Sequence, residues 1–571
     1  MQGKLWKYLD KQLNSEAVKV FSQKFNLPYE MAAILLLRGI TDEKEIALYM
    51  NKGLDCVHSP FLLNDMEAAC ERIIKAINGK EKIVVYGDYD VDGITATTVL
   101  SDFLSSVGAD VDYYIPDRFS EGYGLNILAV NKLARNGAKL MITVDCGISS
   151  IGEVEFAKTQ KLDVIVTDHH SCKTEIPKAI AVINPKRQDS EYPFSGLAGV
   201  GVAFKLVLAL AKKLSLAAKD IFFKYVDLVT IGTIADVVPL LDENRVICDR
   251  GIKIIQNTQN LGIKALLEVS GCKDKEITAS LIAFSLAPRI NAAGRMEKAS
   301  LAVELFKSKN YDEALERAEK LDSLNGMRRS IEQKIAEVAE DIADKLENPL
   351  VYVLKAKGWH HGVIGIVASR LTEKYFRPCI LLSEENGKCK GSGRSIEGFN
   401  LFEALSDSEE ILTAFGGHAQ AAGLSIKSED VDAFTKRINA YAKKVITSEM
   451  LVPVLSVDCE INPSHITLEW AKALKKLEPF GCDNEMPVFS LSGVKILSHG
   501  TMGADKQHLY MRVSKGENIF SAVGFGMGAL SAKLIQGDLA DIAFTMNINT
   551  YNGTESVQLF IKDIKKPDRN Y

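Results

Sequence analysis

The segment Tyr86-Gly-Asp-Tyr-Asp-Val-Asp-Gly93 sets carboxylates at 88, 90 and 92, directly after an apolar run. Like charges this close are unfavourable unless a cation offsets them. Gly87 and Gly93 allow the tight backbone such a segment needs. An acidic surface turn would also fit, and D-x-D-x-D resembles a calcium loop. The calcium reading fails at loop position twelve, where Val99 stands instead of Glu. Three further segments carry the same kind of group: Val144-Asp145-Cys-Gly147, Thr167-Asp168-His169-His170 and Ile234-Ala-Asp236-Val-Val-Pro239. A lone Asp after a strand is ordinarily a turn or helix cap. The weight lies in the coincidence, because ligand sites in parallel sheets form outside the carboxyl ends of the strands. Carboxylates with imidazole suit Mn²⁺, with Mg²⁺ or Zn²⁺ also compatible. Two ions roughly 3.5–4 Å apart in such a site are a standard means of phosphate-ester hydrolysis. The residues therefore point to a metal-dependent phosphoesterase.

The elements that must hold these groups are legible around them. Apolar runs at Lys82–Tyr86, Val111–Ile115, Leu140–Val144, Asp163–Thr167 and Ala179–Ile183 alternate with helical stretches such as Thr95–Ser106. This alternation predicts a parallel sheet covered on both faces. Gly199–Leu214 and Phe222–Leu240 read as buried helix or strand. No Gly or Pro interrupts 327–347, which reads as a long connecting helix with a solvated, charged face. Pro349 begins a second α/β unit, with strands at Leu350–Leu354 and Cys379–Leu382 and helices at Val363–Lys374 and Leu401–Ser406. Beyond about 451 the pattern is all-β, with Asn552-Gly553 as a hairpin signal. Five short strands there suggest a small barrel of the OB type. The expected organisation is a helical segment over 1–60, a catalytic α/β domain over 61–305, a linker helix over 306–347, a substrate-binding α/β domain over 348–450 and a nucleic-acid-binding barrel over 451–571.

Length and composition bound the answer. The chain has 571 residues, 47% hydrophobic and 25% charged, enough for roughly three or four globular domains of about 150 residues. Its net charge of −5 leans against nucleic acid, so any such contact needs a local basic groove or bound metals. Ten cysteines form no CxxC pair, as expected of reduced thiols in the cytoplasm. The N-terminal stretch is polar, and no apolar run would span a bilayer.

Taken in order, these motifs resemble the DHH phosphoesterase superfamily and, within it, the RecJ family of single-strand-specific 5′→3′ exonucleases. GDYDVDG, VDCG, DHH (168–170) and the ADVVP around Asp236 are followed by PRINAAGR (288–295), GWHHGVIGIVASRL (358–371), GSGRS (391–395) and GGHAQAAGLS (416–425). The resemblance covers nearly the whole chain from about 60 onward. It implies two Mn²⁺ or Mg²⁺ ions with Asp90, Asp92, Asp145, His169 and Asp236 as ligands, Asp145 bridging. The superfamily often has a histidine where this chain has Tyr86, and Asp88 stands as the substitute ligand. The resemblance also implies that His170 faces the scissile phosphate and that Asp168 orients a histidine. Ser392 and Arg394 would hold a 5′-phosphate, with backbone amides of GSGRS completing an anion cradle and His418 as a further donor. Arg118 and Tyr123 would face them from the catalytic lobe, and Arg289 and Arg295 would contact backbone phosphates. The EPFG-x3-E-x-P segment, 478–487, belongs to the barrel domain. The implied substrate is single-stranded DNA, cut to 5′-mononucleotides in recombination and repair. The implied state is a cytoplasmic monomer, with a single-stranded-DNA-binding protein and a helicase as partners. A phosphodiesterase for short oligonucleotides or cyclic dinucleotides, an inorganic pyrophosphatase, and a non-catalytic replication scaffold are the competing readings. The linking helix and barrel argue against compact two-domain phosphodiesterases, and the intact acidic and histidine positions argue against a scaffold.

Overall fold

The computed structural model describes residues 4–118, 120–122 and 124–566. They form two compact units. One comprises Lys52–Ile446 with Gly481–Asp483, the other Met1–Asn51, Thr447–Phe480 and Asn484–Tyr571.

The first unit is built on five strands, β1 (Ile83–Gly87), β2 (Val111–Tyr114), β3 (Leu140–Val144), β4 (Asp163–Thr167) and β5 (Ala181–Ile183). They are all parallel, in the order β2-β1-β3-β4-β5. Side chains alternate across the sheet. Ile83, Val85, Leu140, Ile142 and Val144 enter one core with Phe103, Val200, Phe204 and Ile231. Val84, Tyr86, Met141, Val164 and Val166 enter another with Val130, Leu133 and Val154. Because both faces are covered, these strands are apolar throughout rather than alternating. The register then aligns their ends. Gly87 pairs with Val144, and Val144 with Thr167. Asp88, Asp145 and Asp168 thus leave three neighbouring strands at one level.

Helices α1 (Val91–Ser106), α2 (Gly199–Lys213) and α3 (Ala218–Ala235) pack on one face. The acidic segment is not one loop, as its sequence suggests. Asp90 is the N-cap of α1 and accepts from the Gly93 amide at 3.1 Å, so Asp92 already lies in the first helical turn. An Asp that satisfies an orphan amide starts the helix four residues before Thr95.

Helices α4 (Ala287–Met296), α5 (Tyr311–Ala343) and α6 (His361–Tyr375) lead into the second sheet. Ala314, Ala318, Leu321 and Leu324 of α5 join the catalytic core. Ile335, Ala336, Ala339 and Ala343, further along, join the core beneath the second sheet. A narrow apolar stripe on an otherwise charged helix therefore serves both cores. The second sheet contains β6 (Tyr352–Lys357), β7 (Cys379–Glu385), β8 (Lys388–Arg394), β9 (Ala414–Gly417) and β10 (Ala421–Lys427), in the order β9-β10-β8-β7-β6. Only β6 and β7 run parallel.

This topology corrects one expectation. GSGRS does not offer free backbone amides as an anion cradle. Its first four residues lie in β8, between β7 and β10, and a central strand spends its amides on the two ladders. What remains for an anion is side chains.

In the second unit, Phe489–Met502, His508–Lys515, Asn518–Gly524, Leu539–Tyr551 and Thr554–Lys565 close into a ring, because the first strand also pairs with the fourth. The N-terminal residues are not a helical segment standing alone. Leu5–Tyr8 pairs in parallel with Val454–Val457. Val18, Phe21, Ile34 and Leu35 share a core with Trp470, Phe489, Phe544 and Leu559. Helices of 8 to 11 residues are marginal alone and need such a surface. Among the described residues no helix is long and apolar enough to cross a membrane.

Candidate metal centre

Asp92 is almost fully buried, and its two oxygens accept from the Gly199 and Val200 amides, each at 2.7 Å. These amides open α2, so the helix terminus offsets part of the carboxylate charge. Asp145 follows β3 in the left-handed region, with φ +60. A Cβ built on Gly199 would sit 2.5 Å from both Cβ and Oδ1 of Asp145, so only glycine lets α2 approach there. Gly232 plays the same part on α3, where a Cβ would lie 2.3 Å from Thr95 Oγ1 and 3.2 Å from Asp92 Oδ1. Gly93, singled out from its motif, is required too: a Cβ there would meet Asp88 O at 2.5 Å. Gly199 and Gly232 carry no motif that sequence reasoning used, and only the packing identifies them.

The imidazole of His169 is the hub. Its Nε2 lies 3.2 Å from Asp145 Oδ1, 3.5 Å from Asp236 Oδ2 and 3.8 Å from Asp92 Oδ2. Asp236 reaches it as the C-cap of α3. Ligand atoms of Asp92, His169 and Asp236 lie within 4.8 Å of one another, as do those of Asp88, Asp90 and Asp145, and those of Asp145, His169 and His170. Asp145 belongs to two of these groups. Asp88 falls with Asp90 and Asp145. Tyr86 is turned to the far face of the sheet, where its hydroxyl donates to Gly124 O at 2.9 Å and its ring stacks on Tyr114.

The electrostatics require a counter-charge. Burial, followed by repulsion from neighbouring carboxylates, pushes Asp88, Asp92 and Asp145 well above the usual carboxylate range. Asp236 is pushed up to about 7, by burial and then by Asp90. Burial holds His169 neutral, with its pKa down to about 3. Asp88 Oδ1, Asp145 Oδ1 and His169 Nε2 are buried without a hydrogen bond. Carboxyls whose charge is disfavoured, with idle oxygens, beside an imidazole form a donor set that divalent cations fit, since such ions favour the ionised carboxylates.

Asp168 is set apart from the donor groups. Its Oδ1 accepts from the His169 and His170 amides at 2.7 and 3.1 Å and contacts His170 Nδ1 at 2.7 Å, while Oδ2 accepts from the Ile148 amide. Burial alone would raise its pKa, but the His170 contact and these amides lower it. His170 shifts oppositely: burial disfavours its charged form, yet the Asp168 contact prevails and raises its pKa.

A cationic cluster adjoins the acidic one. The Arg118 guanidinium lies over the Tyr89 ring, 5.0 Å from its centroid. A Cβ on Gly294 would meet Tyr89 O at 2.6 Å, so α4 packs directly on the acidic segment and places Arg295 beside it. Burial, then the charges of Arg118, Arg328 and Arg394, lowers the Arg295 pKa to about 10. Burial and then Arg118 lower that of Arg394. The hydrogen bonds of these two groups go to neutral oxygens: Arg295 to Gly362 O at 2.8 Å, Arg394 to Ser392 Oγ at 3.1 Å and Gly393 O at 2.8 Å. Gly365 of α6 lets Ser392 and Arg394 come close, since a Cβ would stand 3.0 and 3.2 Å from them. His418 is exposed in the turn joining β9 to β10, its amide bonded to the oxygen of Ala421, which faces Arg394 across the ladder. Arg289 is not brought to this cluster. It pairs with Asp322 at 2.7 Å and donates to Ser285 O. Tyr123 lies outside the described residues. Tyr89, Arg328 and His360, whose pKa is lowered by burial and then by Arg118, were missed. Tyr89 and His360 stand inside quoted motifs, whereas Arg328 carries no sequence signal.

Known proteins share these domains and this fold. Residues 82–233 match the DHH family N-terminal domain, 347–444 the DHHA1 domain and 457–563 the RecJ OB domain. The single-stranded-DNA-specific exonuclease RecJ of Bacillus subtilis is 40% identical over 554 residues, 96% of this chain and 70% of that protein. The protein of the same description from Haemophilus influenzae is 35% identical over 93% of this chain and 95% of its own length. The crystal structure of RecJ in complex with Mn²⁺ from Thermus thermophilus superposes with a TM-score of 0.84 at 28% identity, covering 99% of this chain and 79% of that one. With all three domain models matched in order and identity sustained along nearly its whole length, the chain belongs to the RecJ family of DHH phosphoesterases.

Proposed function

We propose that the chain is a single-stranded-DNA-specific 5′→3′ exonuclease that releases 5′-mononucleotides by two-metal-ion hydrolysis, in DNA recombination and repair. One observation carries the reading: an acidic cluster shaped for cations and a guanidinium cluster in which Arg295 and Arg394 bond to neutral oxygens meet across Tyr89. The first can take the ions, the second the anionic end of the substrate. The names of the relatives, the RecJ OB model and the crystal structures of RecJ with Mn²⁺ and with Mg²⁺ support it. The buried, unsatisfied donor set argues against a scaffold, where it would serve nothing.

Asp88, Asp90 and Asp145 would hold one ion and Asp92, His169 and Asp236 the other, with Asp145 shared. Such ions supply Lewis acidity toward water and the phosphate oxygens. Asp92 is kept oriented by the amides of α2. Asp168 orients the His170 ring and favours its charged form, so that His170 can donate from Nε2 to the scissile phosphate. Arg394, with Ser392 beside it, would grip the 5′-phosphate, Arg118 and Arg295 would neutralise phosphates nearer the ions, and His418 would donate from the sheet edge. Residues 61–305 would carry catalysis, 348–450 the 5′ end and 451–571 the trailing single strand. The proposed setting is a cytoplasmic monomer working with a helicase and a single-stranded-DNA-binding protein.

Arg394→Ala tests the substrate side. It should cut kcat/KM on a 5′-phosphorylated single strand roughly tenfold, the scale of one charge-assisted hydrogen bond, and erase the preference for a 5′-phosphate over a 5′-hydroxyl end. A variant that keeps that preference would remove Arg394 from the assignment. EDTA should stop hydrolysis, and Mn²⁺ should restore it and raise the melting temperature, because ions that bind only the folded chain stabilise it. An unchanged melting temperature with saturating Mn²⁺ would contradict the metal centre.

A further inference from the structure

Val237 occupies the position after Asp236, the C-cap of α3, with φ +59. Its amide bonds back to Ile234 O at 3.4 Å. This left-handed position just beyond a helix is where glycine is the default, because any Cβ is crowded there. A β-branched residue is the worst fit. Among the described residues, fourteen other than glycine have positive φ: Asn, Asp, Lys, Ser and Phe account for thirteen, and Val237 alone is β-branched.

The side chain lies largely outside the core. Val238, its neighbour, is buried in the catalytic core, whereas Val237 is 69% exposed. The chain thus holds an apolar, branched group in strained backbone, facing solvent, next to a residue of the acidic cluster. Strain of this kind clusters where a site uses it. We propose that Val237 is a substrate-contact residue, whose isopropyl group packs on the sugar and base of a nucleotide flanking the scissile phosphate. Sugar and base faces are the apolar surfaces that a single strand offers, and Asp236 fixes Val237 within one residue of the reacting centre. The inference rests on the phosphodiesterase reading above and deepens it.

Val237→Gly and Val237→Ile test it, with melting temperature, KM for a 5′-phosphorylated single strand and Mn²⁺ affinity as readouts. Glycine should raise the melting temperature by about 2 °C by relieving the backbone. It should also lower kcat/KM about tenfold, mainly through KM, with Mn²⁺ affinity unchanged; isoleucine should restore KM. A lower melting temperature for the glycine variant would mean Val237 supports the fold, and an unchanged KM would mean it touches no substrate. Weakened Mn²⁺ binding would mean it acts through Asp236. Each of the three overturns the proposal. Wild-type protein that leaves single strands intact would instead defeat the nuclease reading itself.

Discussion

Asp145→Asn should abolish Mn²⁺-dependent hydrolysis of single-stranded DNA, by about 1000-fold or more, and leave the chain folded. Asp145 belongs to the donor group of Asp88 and Asp90, and its Oδ1 also lies 3.2 Å from Nε2 of His169 in the other group, so its loss disturbs both at once. Asparagine keeps the shape and removes the charge. In the metal-free protein burial and four neighbouring aspartates already disfavour that charge, so its removal should not lower the melting temperature. The rise in melting temperature that Mn²⁺ causes should shrink or vanish. Turnover near the wild-type rate would remove Asp145 from the centre, and a collapse of the fold would show that its role is structural.

Gly199→Ala should cost at least about 100-fold in kcat/KM, although it adds one methyl group. That methyl would stand 2.5 Å from Asp145 Oδ1, closer than any real contact allows, so the carboxylate or the start of α2 must move. The same residue's amide holds Asp92 at 2.7 Å, which couples the disturbance to the second donor group. A displacement of about 1 Å in a catalytic group can cost about 100-fold. Alanine suits a helix, so circular dichroism should be unchanged. Gly152→Ala, in a helix where an added Cβ meets nothing within 4 Å, is the control and should be nearly silent. Equal activity of the two variants would show that the position of Asp145 is uncritical.

The contrast between these two residues marks what the sequence could disclose. Asp145 was legible because its type is chemical and its place, after an apolar run, repeats at 88 and 168. Gly199 was not, because its reason is a neighbour 54 positions earlier in the chain. The parallel sheet was legible for a similar reason: strands buried on both faces are uninterrupted apolar runs. The second sheet was only half legible, since β8, β9 and β10 are rich in glycine and read as loops. There GSGRS looked like a cradle of free amides, whereas pairing on both sides leaves Ser392 and Arg394 as its donors. Arg289 and Arg295 sit in one motif and look alike, yet Asp322 on α5 pairs with the first, whereas Arg295 donates to the carbonyl oxygen of Gly362. Pairing across a fold is a property of distant residues, and no local pattern carries it. Tyr86 likewise occupies a position where the superfamily often has histidine, and the alternation of β1 sends it away from the cluster.

The central claim is that the acidic cluster removes nucleotides from the 5′ end of single strands. The direct measurement uses one oligonucleotide, labelled at either end, as a single strand, as a blunt duplex and as RNA of the same sequence, each incubated with Mn²⁺. The 5′ label should leave the DNA single strand at once as mononucleotide, while the 3′ label persists in a ladder of shortening products, and the duplex should stay intact. Early release of the 3′ label, equal degradation of the duplex, or binding without cleavage would contradict the claim.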